Sequence, residues 1–415
     1  MVLVAFCVRV AVIPFVYDEW ITPYNIQHFE PGNVARALLS GHGFGSPIDA
    51  IQPSASMPPA FCVVVAFFFA VFGIHTLKAM IAILTFNCLL SALAAIPIRL
   101  TAAKLMGRKS GLWAGWVWCF FPYGIYFAAE WAWSTHMLLL EISWLLYLAL
   151  RLGESARLGD WALFGALGGF AALTEPVALT ILPALTLLAA YRLWRSGKPA
   201  VSRIVLAAVM TLVVISPWTI RNYFVFHRFI PMRDNMGLEL RLGNDGFTHH
   251  WVHADTHPNH DAAQMANYER GELQYMDHQM VIAKAYIHQH PGFFAWMSLR
   301  RAVYLWTGYW SFEPSYLKEE EMDPPNIFFA TSMLTLAIIG LWRLAKTNLA
   351  QSIGYAGVLF CFPALYYFSH PQAYHMRPID PLFVILAVCA IRGAASADVI
   401  EVLVAEEDEK ELVTV

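Results

Sequence analysis

The chain has 415 residues, of which 58% are hydrophobic and only 14% charged, with a formal net charge of −3. A soluble domain is roughly 45–50% apolar and about 25% charged, so both figures exclude an ordinary water-soluble globule and point to hydrocarbon as the solvent. No basic tract with interleaved aromatics is present, and no nucleic-acid partner is expected.

A helix crosses a bilayer with about 20 mostly apolar residues, because the hydrocarbon core is about 30 Å thick and each residue rises about 1.5 Å. In chain order the qualifying segments are 1–17, 76–98, 111–127, 133–150, 161–174, 176–191, 204–220, 326–342, 352–369 and 379–395. This predicts an all-α polytopic membrane protein with about ten spans. The first segment competes with a signal-peptide reading, but it has no basic lead-in, and no small-residue cleavage site follows Pro14. The fifth is short and ends at Thr174, Glu175 and Pro176.

Segment 57–73 is apolar but short, and it opens on Pro58 and Pro59. Charge decides between a span and an interfacial or re-entrant helix. If it does not cross, Arg99, Lys104, Arg108 and Lys109 share one side with Arg151, Arg157, Arg192, Arg195, Lys198, Arg203, Arg343 and Lys346, and with the C-terminal tail. The short connections near 128–132 and 174–175 carry no Lys or Arg. That is a consistent positive-inside pattern, so 57–73 is read as interfacial. The expected organisation is a transmembrane module over 1–220 with a first outer loop at 18–75, an outer loop region over 221–325, C-terminal spans over 326–397, and an acidic cytoplasmic tail over 398–415. Cys7, Cys62, Cys88, Cys119, Cys361 and Cys389 all fall in apolar stretches and are read as small buried hydrophobes rather than disulfide partners.

The first outer loop carries the most chemistry. Asp18 and Glu19 follow the first span, and Glu30 precedes Pro31, Gly32 and a short amphipathic helix ending near Gly41, Gly43 and Gly45. Pro31 suits a first helical turn. A carboxylate held there, at the membrane surface, can accept a proton from a substrate hydroxyl. It can equally be an acid that favours a helix N-terminus. Glu130 and His136 flank another outer turn, with Glu141 one turn deeper. Ionisable groups at membrane depth are functional candidates, and a buried hydrogen-bonded pair is the alternative. His249, His250, His253, His257 and His260 crowd one stretch; His250 with His253, or His253 with His257, has a spacing that could ligate a metal if helical, but Pro258 and the polar composition favour a loop.

The stretch FEPGNVARALLSGHGF, followed by Pro58-Pro59 opening an apolar helix, resembles the integral-membrane glycosyltransferases of the GT-C fold, in particular the glycosyltransferase family 39, protein-mannosyltransferase-like and aminoarabinose-transferase-like group. PWTIRNY at 217–223 and PMRDNMGLELRLGND at 231–245 are similar to stretches in bacterial members. The resemblance implies a GT-C-like bundle with interfacial juxtamembrane helices and a large outer loop. It implies sugar transfer from a polyprenyl-phosphate donor to a lipid, glycan or protein acceptor at the outer face of a bacterial inner membrane, with no metal required. Glu30 inherits the role of base. The sequence departs from the group's acidic pair, since Phe29 stands in place of the first acid, which keeps Asp18 and Glu19 as alternates. The donor's phosphate calls for arginines at the outer interface: Arg221, Arg233, Arg300, Arg301 and Arg377, each of which could instead anchor to headgroups. Glu130, His136 and Glu175 are expected to line the cavity. A secondary transporter or flippase for a hydrophobic solute is the competing class, but no internal repeat is visible. An O-antigen ligase or polymerase is a third option.

Overall fold

The computed structural model describes residues 1–20, 26, 28–49, 51–246, 248, 257–259, 261–308 and 323–394, apart from the side chains of 17–20 and 323–325. The regular elements among the described residues are helices, with one isolated bridge between Gly45 and Pro53.

The N-terminal half runs α1 (Val2–Trp20), α2 (Glu30–Leu39), α3 (Pro59–Phe72), α4 (Leu77–Leu93), α5 (Ala95–Met106), α6 (Arg108–Cys119), α7 (Pro122–Glu130), α8 (Thr135–Leu152) and α9 (Leu158–Thr174). A 3₁₀ turn (Pro176–Thr180) leads to α10 (Leu182–Arg195) and α11 (Val201–Phe226). The second outer region contributes α12 (Met236–Gly243), α13 (Ala262–Tyr268), α14 (Glu272–Gln289) and α15 (Pro291–Thr307). The chain closes with α16 (Asp323–Thr347), α17 (Leu349–Cys361), α18 (Ala364–Phe368), a 3₁₀ turn (Ala373–Ile379) and α19 (Asp380–Arg392).

Among the described residues, seven helical stretches are long and apolar enough to cross a membrane: Leu77–Met106, Thr135–Leu152, Pro176–Arg195, Val201–Phe226, Asn326–Thr347, Leu349–Phe368 and Ala373–Arg392. The first and fifth expected segments form shorter apolar helices. The third, 111–127, is two helices rather than one. Pro122 has no N–H to give the carbonyl of Trp118 four residues back, and Arg9 of α1 supplies the replacement. Its Nη2 donates to Trp118 O at 2.9 Å and its Nη1 to Cys119 O at 3.1 Å, while Nε donates to Ser91 Oγ at 2.9 Å. Helix α3 has 14 residues, about 21 Å of helix, which falls short of the hydrocarbon thickness and supports the interfacial reading of 57–73.

The core is built from α5, α8, α10, α17 and α19, where Ile98, Leu139, Ile142, Leu185, Val358 and Leu386 are buried. Helices α9 and α11 approach closely because a side chain at Gly165 would collide with the Ala207 carbonyl, and one at Gly169 would crowd Thr211; small residues serve this purpose in membranes. Thr211 Oγ1 then donates to Gly165 O at 2.9 Å. All six cysteines are free, as expected, but Cys7 and Cys361 face outward rather than into the core.

The two ends of the bundle differ. At one end Glu154 binds Lys104 at 2.8 Å and Arg192 at 3.1 Å, and Lys198 donates to its carbonyl at 2.8 Å. These are residues the charge pattern assigns to one side. The other end holds the chain between α1 and α4, the chain between α11 and α16, and the cavity between them.

Candidate active site

The cavity has a volume of about 600 Å³. Its walls come from the start of α2, the α7–α8 turn, the α9–α10 turn, the segment leading into α12, and the chain between α18 and α19.

Glu30 opens α2. Phe29 before it is buried against Phe61, Val65 and Phe69 of α3, and Pro31 presets the first turn. No side chain caps this helix. Glu30 instead turns its Oε1 to Asn259 Nδ2 at 3.5 Å and to His257 Nε2 at 3.8 Å. Its side chain keeps 26% of its surface open. Burial pushes the carboxyl up to about 7; the charge of Glu239 adds to this and Arg233 opposes it.

Arg233 is the one Lys or Arg on the wall among the described residues. Its Nε donates to Ser56 O at 2.7 Å. Its other nitrogens lie 3.3 Å from Glu175 Oε2 and 3.9 Å from Glu239 Oε1. A charge-assisted hydrogen bond is typically about 2.7–2.9 Å, so the fork is steered by Ser56 but held loosely by the acids. Glu175 is also bonded by Ser134 Oγ at 2.8 Å. Glu239 receives Asn235 Nδ2 at 2.6 Å and lies 3.2 Å from His370 Nδ1. Glu130 lines the cavity and accepts from Tyr126 OH at 2.8 Å. Aromatic rings complete the wall: Trp131 stacks on Tyr374 at 4.7 Å, Trp133 stands beside both, and Tyr366 lies flat on His375 at 4.1 Å. Acids that accept hydrogen bonds from hydroxyls, rings that cover apolar faces and one guanidinium suit a polyhydroxylated anion.

The remaining candidates are placed elsewhere. Arg221 Nη1 donates to Ser54 O at 2.7 Å and Nη2 to Phe44 O at 2.9 Å, with its guanidinium over Trp218 at 4.9 Å, so it ties the end of α11 to the first outer loop. Arg301 is fully buried and donates to Asn244 Oδ1 at 3.2 Å and to the Gly243 carbonyl. Arg300 is half-buried on the same helix and is not on the wall. Arg377 is buried under the cavity, over Tyr123 at 3.7 Å and 3.5 Å from Asp380. His136 is fully buried in the packing behind the wall, and Glu141 accepts from Thr174 at 2.9 Å. The side chains of Asp18 and Glu19 lie outside the described residues, as do His249, His250, His253 and His260. Glu239, His370, His375, Tyr366 and Tyr374 were not singled out from sequence. Glu239 nevertheless sits within the quoted stretch PMRDNMGLELRLGND, and His375 lies two residues before Arg377.

A second acid cluster fastens the roof. Glu272 of α14 accepts from Ala55 N at 2.9 Å and from Tyr268 OH at 2.6 Å, and Tyr268 OH also meets Ser46 Oγ at 2.9 Å. Asp234 lies beside Glu272; burial raises its carboxyl and the Glu272 charge raises it further.

Fold and site together define a polytopic helical membrane protein of GT-C architecture with a polar cavity at one end of its bundle. In solved structures the chain is similar to the Archaeoglobus fulgidus oligosaccharyltransferase in complex with zinc and sulfate, at 11% identity and a TM-score of 0.50 over 93% of this chain and 48% of that one. The apo form of the same protein gives 11% identity and a TM-score of 0.51 over 93% and 49%. The chain therefore spans about half the length of that protein. ArnT from Cupriavidus metallidurans, bound to undecaprenyl phosphate, is matched at 12% identity and a TM-score of 0.40 over 94% of this chain and 77% of that one. No protein-family model and no curated protein matches the chain.

Proposed function

We propose that the protein transfers a sugar from a polyprenyl-phosphate-linked donor to an acceptor hydroxyl at the outer face of a bacterial inner membrane. The observation that carries this reading is that Glu30 and Arg233, from separate outer loops, line one cavity at the end of the bundle opposite the basic cluster. The positive-inside rule puts basic residues in the cytoplasm, which supports an outward-facing cavity. A cavity at one end, rather than at mid-membrane, favours a transferase over a carrier.

In the reaction the acceptor oxygen attacks the anomeric carbon and its proton passes to Glu30 Oε1. The bond between that carbon and the phosphate oxygen breaks, and its electron pair leaves with the phosphate. Arg233 neutralises the charge that develops there, exchanging Glu175 and Glu239 for phosphate oxygens. Phosphate is already a competent leaving group, so no general acid is required. The protein in nanodiscs, given a panel of polyprenyl-phosphate sugars and a lipid acceptor extract, should release polyprenyl phosphate. Glu30→Gln should abolish release at an unchanged melting temperature. Wild-type turnover in that variant would overturn the assignment and turn attention to Asp18 and Glu19.

A further inference from the structure

The imidazole of His375 is fixed on the cavity wall. The backbone N–H of Gln372 donates to its Nδ1 at 3.0 Å, and the Gln372 side chain accepts the backbone N–H of His375 in return. Tyr366 lies parallel to the ring, 4.1 Å away at 10°, and Tyr374 meets it edge-on at 4.5 Å. A backbone amide can only donate, so Nδ1 must present a lone pair and the ring proton resides on Nε2. Nε2 has no hydrogen-bond partner among the described residues and is not sealed in the packing. His375 is thus a neutral donor with a single open N–H, held in place before any substrate arrives.

We propose that His375 donates Nε2–H to a phosphate oxygen of the lipid-linked donor, sharing with Arg233 the charge released as the sugar departs. This rests on the transfer reading above. The wall divides its labour. Glu30, Glu130, Glu175 and Glu239 are acceptors, matched to hydroxyl groups, and one guanidinium alone stands against them. An anion with several acceptor oxygens needs further donors, and a locked N–H supplies one without reorganisation. His370 cannot take this part in the same way, since its Nδ1 lies 3.2 Å from Glu239 Oε2.

Two substitutions separate the ring's nitrogens. His375→Asn keeps an acceptor near Nδ1, and so keeps the Gln372 contact, but loses the donor at the ε position. His375→Gln reaches the ε position with an N–H. Binding of undecaprenyl phosphate to the purified protein in nanodiscs should weaken about tenfold or more in His375→Asn and stay within about threefold of wild type in His375→Gln. Undecaprenol, which lacks the phosphate, should show no difference among the three proteins. Wild-type affinity in His375→Asn, or an equal loss in His375→Gln, overturns the inference. Equal weakening for undecaprenol also overturns it, because the ring would then only shape the wall. If wild type itself fails to bind undecaprenyl phosphate, the transfer reading falls and takes this inference with it.

Discussion

Arg233 and Glu175 stand 3.3 Å apart across the cavity wall, one from the segment before α12 and the other from the α9–α10 turn. The pair joins the second outer region to the membrane bundle at the point where the proposed chemistry occurs. A lysine at 233 would keep the charge but not the fork that reaches Ser56, Glu175 and phosphate together. Arg233→Lys is expected to raise the KM for the donor about tenfold. Arg300→Lys should leave it within about twofold, since Arg300 does not line the cavity. Donor titrations on the reconstituted protein measure both.

The role proposed for Glu30 requires an ionised carboxylate. Its carboxyl is raised to about 7, so turnover should climb as pH passes through that value, with about half the maximal rate near it. Glu30→Asp shortens the reach, and an activity loss of about a hundredfold is expected. A pH–rate profile without a limb between about 6 and 8 would remove Glu30 from the role.

Asp234 carries the opposite lesson, for stability. Its carboxyl is raised by burial and by Glu272, so the folded protein holds this proton more tightly than the unfolded chain does. The stabilisation is present below the ordinary aspartate range and fades as pH rises through the raised value. Asp234→Asn removes the charge and retains the shape. Its melting temperature should exceed that of wild type by about 2 °C at pH 9 and match it at about pH 3, where folded and unfolded chains both hold the proton. A shift of equal size at both pH values would contradict the account.

Arg9 holds together a helix that Pro122 interrupts. Lysine in its place cannot donate to Trp118 O, Cys119 O, Ala5 O and Ser91 Oγ at once. Arg9→Lys should cost about 2–4 kcal/mol through carbonyls left unserved in a buried place, seen as a lower melting temperature with an unchanged donor KM.

Much of the bundle is legible in the sequence because hydrocarbon imposes length and apolarity, and Glu30 stands out because Pro31 and Phe29 frame it. The arginines are not separable by such means. Arg221, Arg233 and Arg301 all sit near aromatics and loop carbonyls in the sequence. Only their fates distinguish them: Arg301 is spent on Gly243 and Asn244, Arg221 on Phe44 and Ser54, and Arg233 alone reaches the cavity. The same is true of His375. What matters is which ring nitrogen the backbone occupies, a relation fixed by the turn from Gln372 and by the Tyr366 ring from another helix. The α6–α7 break was written in Pro122, but its tolerance depended on Arg9, more than a hundred residues earlier.

Glu272, bonded to Ala55 and Tyr268, makes the loop that follows Glu30 and the helices beyond Arg233 into one lid. A lipid-borne substrate would not part those two pieces on its way in.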